Sequence, residues 1–170
     1  TRSCLVSWGS EMCIRDRNYI QLNENIHKEV KDLIEKVKSS KGKTKENAFY
    51  EVYALLAGHH EAEEKVIFPK ALEKCEKQDD KDTTLEMPEE HSLIMFQLGV
   101  LNNTPFDNET WDAKFSVLEE VGTHHMDEEE EEFAKVAKKL FTEQELEELG
   151  DQVEKEMNAI KKEWIDKLKK

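Results

Sequence analysis

The fold of this chain can be predicted from two short stretches, HHEAEE at residues 59–64 and HHMDEE at residues 124–129. In each stretch a histidine and a glutamate four residues later share one face of a helix, because residues four apart are neighbours on a helical surface. A single histidine precedes each stretch, His27 before the first and His91 before the second. The chain therefore contains two copies of one unit, a histidine followed by a His-x-x-x-Glu pair.

Each unit has the length of two helices joined by a turn, with the single histidine on one helix and the pair on the next. Short connections make successive helices antiparallel, so two units predict an up-down-up-down four-helix bundle. All six histidines lie on predicted helices, in the alternation that a site at the bundle centre requires. Histidine and glutamate are costly on an apolar face unless they are paired or bind a metal, so this order favours a metal site over scattered surface histidines. The alternative for His27 and His91 is a hydrogen-bonded core histidine.

Apolar residues at three- and four-residue spacing predict five helices. Their approximate ranges are 18–39, 44–75, 88–101, 108–140 and 143–170. Residues 78–87 are polar and are predicted to form a loop. The fifth helix is predicted to pack along the outside of the bundle. The predicted fold class is therefore all-α, an up-down-up-down four-helix bundle with an additional C-terminal helix.

The starts of these helices are predicted from residues whose side chains can accept a hydrogen bond from the first turn. Thr44 is predicted to cap the second helix, and Asp107 or Asn108 the fourth. Pro88 suits the first turn of the third helix, where a missing N–H is tolerated. The stretch TEQE at residues 142–145 is a capping box that opens the fifth helix.

The composition of the chain limits its class and its partners. A length of 170 residues fits one domain, and only 6 Gly and 3 Pro favour an all-helical protein. The net charge of −14 argues against nucleic acid as a partner, because phosphate binding needs a basic surface. It argues equally against anionic membrane surfaces. No apolar run approaches the roughly 20 residues of a membrane-spanning helix.

Residues 1–17 differ from the rest of the chain and show no helical period. The string EMCIRDR at residues 11–17 resembles the in-frame translation of an adapter used in sequencing libraries. We therefore predict a non-native leader over 1–17 and one domain over 18–170. This division leaves Cys75 as the single cysteine of the domain, which predicts no intramolecular disulfide and a reducing compartment, the cytoplasm.

Helical phase selects one histidine of the first doublet. At about 100° per residue, His59 and Glu63 fall within the apolar stripe of the second helix. His60 and Glu64 lie toward the edge of that stripe. We therefore predict His59 and Glu63 as ligands, and expect His60 to lie beside the ligands or at the surface.

The same test applies to the second doublet. His125 and Glu129 fall within the apolar stripe of the fourth helix, whereas His124 and Glu128 lie outside it. His125 and Glu129 are therefore the predicted ligands, and His124 is expected to lie beside them or at the surface.

Four segments of the chain resemble the hemerythrin-like, or HHE cation-binding, domain family. They are His27, HHEAEEKVIFPKAL at residues 59–72, the pair Glu90 and His91, and HMDEEEEEF at residues 125–133. The resemblance covers about residues 20–145, which is most of the predicted domain. It implies a non-haem di-iron centre inside a four-helix bundle, with carboxylates that bridge the irons and histidines that complete each coordination sphere.

Two iron ions are therefore the expected cofactor. The predicted metal residues are His27, His59, Glu63, His91, His125 and Glu129. Glu90, which is next to His91, could hydrogen-bond a ligand imidazole and hold its orientation. Zinc also binds histidine and glutamate, but six nitrogen and oxygen ligands with bridging carboxylates suit two irons better.

One position departs from the oxygen-carrying members of the family, which have a His-x-x-x-His pair on the third helix. Here the residue four after His91 is Met95. The resemblance therefore implies that one terminal imidazole is missing, which favours oxidation or slow turnover over reversible oxygen carriage.

The predicted function is that of a non-haem di-iron protein that binds or senses iron and O2. Its expected ligand is O2, another small diatomic molecule or peroxide, and no protein partner is predicted. One alternative is a di-iron enzyme that acts on peroxide or nitric oxide, or a protein of iron storage and detoxification. Another is an interaction bundle without metal.

Overall fold

The computed structural model describes residues 18–169, and every regular element in this range is helical. The elements are α1 (Tyr19–Ser39), α2 (Gly42–Lys74), α3 (Gln78–Asn102), α4 (Trp111–Glu128), a π-helical turn (Glu129–Phe133), α5 (Ala134–Leu140) and α6 (Glu143–Leu168). Because α4, the π turn and α5 are continuous, the chain has four bundle helices followed by α6, and the predicted fold class is confirmed. The predicted leader, residues 1–17, lies outside the described residues. None of these helices is long and apolar enough to cross a membrane.

Helix α6 packs along α2 and α1, on the outside of the bundle, as predicted. The packing against α2 is close at Gly58, where an added Cβ atom would lie 2.9 Å from the carbonyl oxygen of Met157 and 3.1 Å from the amide nitrogen of Lys161. A side chain at this position would push the two helices apart. Gly58 therefore holds α2 at a fixed distance from α6, directly beside the histidine doublet at 59–60.

Two predicted helix starts are confirmed by their hydrogen bonds. The Asn18 side chain accepts a hydrogen bond from the Gln21 N–H at 3.1 Å, so α1 begins directly after Asn18. At the start of α6, the Glu145 N–H donates to Thr142 Oγ1 at 3.2 Å, and the Thr142 N–H donates to Glu145 Oε2 at 2.8 Å. The capping box at 142–145 joins residues three apart, which is why sequence alone could predict it.

The predicted caps of α2 and α4 are wrong. Helix α2 begins at Gly42 rather than after Thr44. The chain reverses tightly after α1, and Gly42 there adopts a φ of 56°, a backbone conformation that favours glycine over other residues. Helix α4 begins at Trp111 rather than near Asp107 or Asn108. Instead, the backbone carbonyl oxygen of Asn108 accepts a hydrogen bond from the Trp111 N–H at 3.0 Å, so Asn108 belongs to the preceding turn.

The predicted loop at 78–87 is also wrong, because these residues form the first turns of α3. Asp80, Thr84 and Met87 are buried and extend the buried face of the helix at spacings of three and four. The polar members find partners: Thr84 Oγ1 donates to the carbonyl oxygen of Asp80 at 2.8 Å, and Lys139 donates to the Asp80 carboxylate at 2.8 Å. Pro88 therefore lies inside α3 and not in its first turn.

Candidate metal centre

The six predicted metal residues converge in the middle of the bundle, and each is at most 1% exposed. Helix α1 supplies His27, α2 supplies His59 and Glu63, α3 supplies His91, α4 supplies His125, and the π turn supplies Glu129. Every bundle helix therefore contributes an imidazole, as the repeated unit in the sequence predicts. The imidazoles lie in pairs across the bundle: the one from α1 is beside that of α2, and the one from α3 is beside that of α4.

The imidazoles form two pairs through their Nε2 atoms. The Nε2 atoms of His27 and His59 lie 3.2 Å apart, and those of His91 and His125 lie 3.0 Å apart. The rings of each pair cross at 78°. The bond from a histidine nitrogen to zinc is about 2.1 Å long. Two nitrogens bound to one ion at that length and at right angles would lie about 3.0 Å apart. Each pair therefore has the spacing of two adjacent ligands on one metal ion.

The other ring nitrogen of three of these histidines contacts a carboxylate. His27 Nδ1 lies 2.7 Å from Glu130 Oε1. His91 Nδ1 lies 3.0 Å from Glu64 Oε1, and His125 Nδ1 lies 2.7 Å from Glu90 Oε2. An ionised carboxylate can only accept, so in neutral His91 and His125 the Nδ1 atom donates and the lone pair is on Nε2.

These tautomers make the short Nε2 separations informative. In these neutral tautomers both Nε2 atoms of the His91 and His125 pair carry lone pairs, which face each other at 3.0 Å. Such a contact is repulsive unless a cation lies between the two nitrogens. The donor set therefore fits a bound metal ion better than it fits a hydrogen-bonded core.

The carboxylates of Glu63 and Glu129 lie between the two histidine pairs. Glu129 Oε2 is 3.1 Å from His27 Nε2 and 3.6 Å from His125 Nε2, so it reaches both pairs. Glu63 Oε2 is 3.3 Å from His59 Nε2 and 3.6 Å from His91 Nε2. Neither Oε2 atom has a hydrogen-bond partner of good geometry among residues 18–169. Each carboxylate is therefore placed to bind a cation at either pair.

Burial and the charges of neighbouring groups shift the pKa values of these residues. Burial and the charge of Glu129 raise the pKa of Glu63 well above its usual value. Burial would also raise the pKa of Glu129, but the imidazoles of His27 and His59 outweigh it and hold that pKa well below its usual value. Burial lowers the pKa of His59 to about 4, so this imidazole is neutral near pH 7 and able to bind a metal.

Tyr19 joins the site, although the sequence analysis did not select it. Its hydroxyl donates a hydrogen bond to Glu63 Oε1 at 2.6 Å and lies 3.2 Å from Glu129 Oε1. Burial, followed by the charges of these two carboxylates, raises the pKa of Tyr19 well above its usual value, so the phenol keeps its proton. The only sequence signal was its position about two helical turns before His27.

The two histidines that helical phase set aside have different surroundings. His124 is exposed, and it lies 3.3 Å from Glu128 and 3.9 Å from Glu90, both of which are partly buried. His60 is 1% exposed and lies beside the predicted ligands, which is the first of the two positions expected for it. Its ring stacks on His91, with 3.8 Å between centroids and 12° between planes. Neither of its ring nitrogens has a hydrogen-bond partner among residues 18–169.

Comparisons with known proteins agree with this geometry. Residues 20–137 match the family described as the hemerythrin HHE cation binding domain. The fold is similar to the crystal structure of a hemerythrin HHE cation binding domain-containing protein from Mycobacterium kansasii, with a TM-score of 0.76 and 22% sequence identity. The similarity covers 86% of this chain and 89% of that one. No curated protein matches the chain significantly.

Proposed function

Because the chain belongs to the hemerythrin HHE cation-binding domain family, we propose that it binds two iron ions and uses them to bind or sense O2 or a related small ligand. The observation that supports this best is the pair of short Nε2 separations, 3.2 Å and 3.0 Å, with two buried carboxylates between them. One iron would bind between His27 and His59, and the other between His91 and His125. Glu63 and Glu129 would serve both.

The donor set favours iron over zinc. Structural zinc sites are closed tetrahedra of four ligands, usually with cysteine, whereas this centre combines imidazole and carboxylate and has carboxylates that reach both halves. Sites of this kind in helical bundles hold two irons in the di-iron carboxylate proteins, and bound iron would supply electrons to O2 or its reduced forms. The chain contributes the remaining functions. Buried apolar helices exclude water, Glu64, Glu90 and Glu130 orient three imidazoles, and Tyr19 holds a proton against Glu63.

Turnover of peroxide or nitric oxide is a second candidate function, which the Tyr19 contact favours. A phenol that donates to Glu63 at 2.6 Å places a proton next to the iron pair, where reduction of a ligand would consume protons. Sustained consumption of peroxide or nitric oxide by the iron-loaded protein would identify an enzyme. A stable oxygen adduct without turnover would identify a binding or sensing protein.

We expect the protein to bind two ferrous ions per chain when it is reconstituted without oxygen. The physical reason is that two separate Nε2 pairs each match the spacing of ligands on one ion. Metal analysis after removal of loosely bound iron measures the ratio, and optical spectra before and after admission of oxygen report on the environment of the iron. A reproducible ratio of one or less would contradict the di-iron proposal.

Replacement of His125 by Ala should lower the iron content to about one per chain or less, whereas the same change at the adjacent His124 should leave two. His125 Nε2 lies 3.0 Å from His91 Nε2 inside the bundle, whereas the His124 side chain is 67% exposed. Neighbouring residues on a helix point about 100° apart, and on α4 it is His125 that faces the centre while His124 faces solvent. Iron loss in His124→Ala and not in His125→Ala would show that the assigned register is off by one residue.

A further inference from the structure

His60 is a buried imidazole to which the proposed iron centre assigns no role. It lies against the second histidine pair, stacked on His91 and with its ring edge-on to His125 at 5.4 Å between centroids. A neutral imidazole carries one N–H donor and one lone pair. Neither is satisfied by another residue of the described chain, 18–169. A buried polar group without a partner is destabilising, so its presence here needs an explanation.

The stacking geometry argues against His60 as a further ligand of the ion at His91. A metal ion bound by an imidazole lies in the plane of the ring, because the nitrogen lone pair lies in that plane. The rings of His60 and His91 are stacked with only 12° between their planes. Two stacked, nearly parallel planes cannot both contain the same ion, so His60 would have to leave the stack in order to bind it.

The repeat within the chain argues against a purely structural role. In the first half His60 directly follows the ligand His59, and in the second half Met126 directly follows the ligand His125. Met126 is buried as completely as His60. The position can therefore be filled by an apolar side chain of similar length, and the fold does not require an imidazole there.

We propose that His60 donates a ring N–H hydrogen bond to a small anion, of about the size of azide, that binds at the His91 and His125 half of the iron pair. The inference rests on the proposed iron centre. Three observations support it: the unsatisfied ring nitrogens of His60, its stack on His91 at 3.8 Å, which is closer than its 5.4 Å to His59, and Met95, which supplies no second imidazole one turn after His91. The anion would accept the hydrogen bond that no residue of the described chain accepts.

Azide binding to the iron-loaded protein tests this role, with His60→Met as the main variant because Met already occupies the equivalent position 126. We expect His60→Met to keep two irons and to bind azide at least about tenfold more weakly, because a hydrogen bond to a charged acceptor is lost. His60→Gln, which keeps an N–H donor, should recover part of the affinity. Optical titration measures the dissociation constant, and metal analysis measures the iron content.

Met126→Leu is the matched control, and it should leave both azide affinity and iron content unchanged. An unchanged azide affinity in His60→Met with two irons bound would overturn the inference, and so would loss of one iron, which would make His60 a ligand. If His60→Met fails to fold, His60→Ala takes its place as the variant that lacks an N–H donor. In that case an iron content of two and an azide affinity equal to the wild type in His60→Ala would overturn the inference. Wild-type protein that holds fewer than two irons would contradict the proposed function itself.

Discussion

Replacing Glu129 with Ala is expected to remove most of the bound iron, to well under one ion per chain. Glu129 Oε2 lies 3.1 Å from His27 Nε2 and 3.6 Å from His125 Nε2, so one substitution removes a ligand from both halves of the centre. It also removes negative charge from between two cations in a low-dielectric core, where their mutual repulsion is strong. Metal analysis after anaerobic reconstitution measures the loss, and far-ultraviolet circular dichroism checks that the helices remain.

Glu128→Ala is the control for this experiment. Glu128 immediately precedes Glu129 but lies at the surface, 3.3 Å from the exposed His124. The control removes the same charge at nearly the same place in the sequence and should keep two irons. Equal iron content in Glu129→Ala and Glu128→Ala would contradict the assignment of Glu129 to both ions.

Replacing Phe133 with Ala should lower the free energy of unfolding of the iron-free protein by about 3–5 kcal/mol, the range for truncation of a buried aromatic residue. Phe133 is fully buried, at the end of the π turn that begins at Glu129. Its ring packs edge-on against Phe68 at 5.0 Å and against Tyr19 at 6.2 Å. The cavity would therefore also loosen Tyr19, which donates to Glu63. Urea denaturation of the iron-free protein measures the change.

Phe96→Ala provides the matched comparison, since Phe96 is 72% exposed on α3. Surface substitutions of this kind change stability by only about 0.5 kcal/mol. A similar loss of stability in both variants would mean that burial at position 133 does not determine the effect. Measurement without iron is essential, because bound iron stabilises the folded state by mass action and would mask part of the loss.

The helices, their buried faces and the convergence of the predicted ligands could be derived from the sequence. The reason is that each depends on neighbours within one or two turns. The spacing of Ile26, Val30 and Ile34 shows which side of α1 is buried, and His27 follows from that face. The capping box at 142–145 is equally local. A histidine and a glutamate four positions apart lie on one side of a helix whatever surrounds it.

The loop predicted at 78–87 shows where local reasoning fails. Residues there are polar enough to suggest a loop, but Asp80 gains a salt bridge with Lys139, a residue 59 positions away. No window of sequence contains both residues. The contact with α5 satisfies the Asp80 carboxylate in a helix, and that contact exists only after the bundle has assembled.

The details of the metal centre depend on the same kind of distant contact. His27, His91 and His125 are each oriented by a carboxylate from another helix. Glu63 on α2 accepts a hydrogen bond from Tyr19 on α1, and His60 on α2 stacks on His91 of α3. The π turn at Glu129–Phe133 widens the helix so that adjacent residues 129 and 130 both reach His27, one at each ring nitrogen.

The fold and the face of each helix that carries ligands therefore follow from the sequence, because helical periodicity and capping act over a few residues. The tautomers of the imidazoles, the position of Tyr19 and the burial of His60 follow only from the folded chain. They depend on distances between side chains far apart in sequence, and packing of the helices sets those distances.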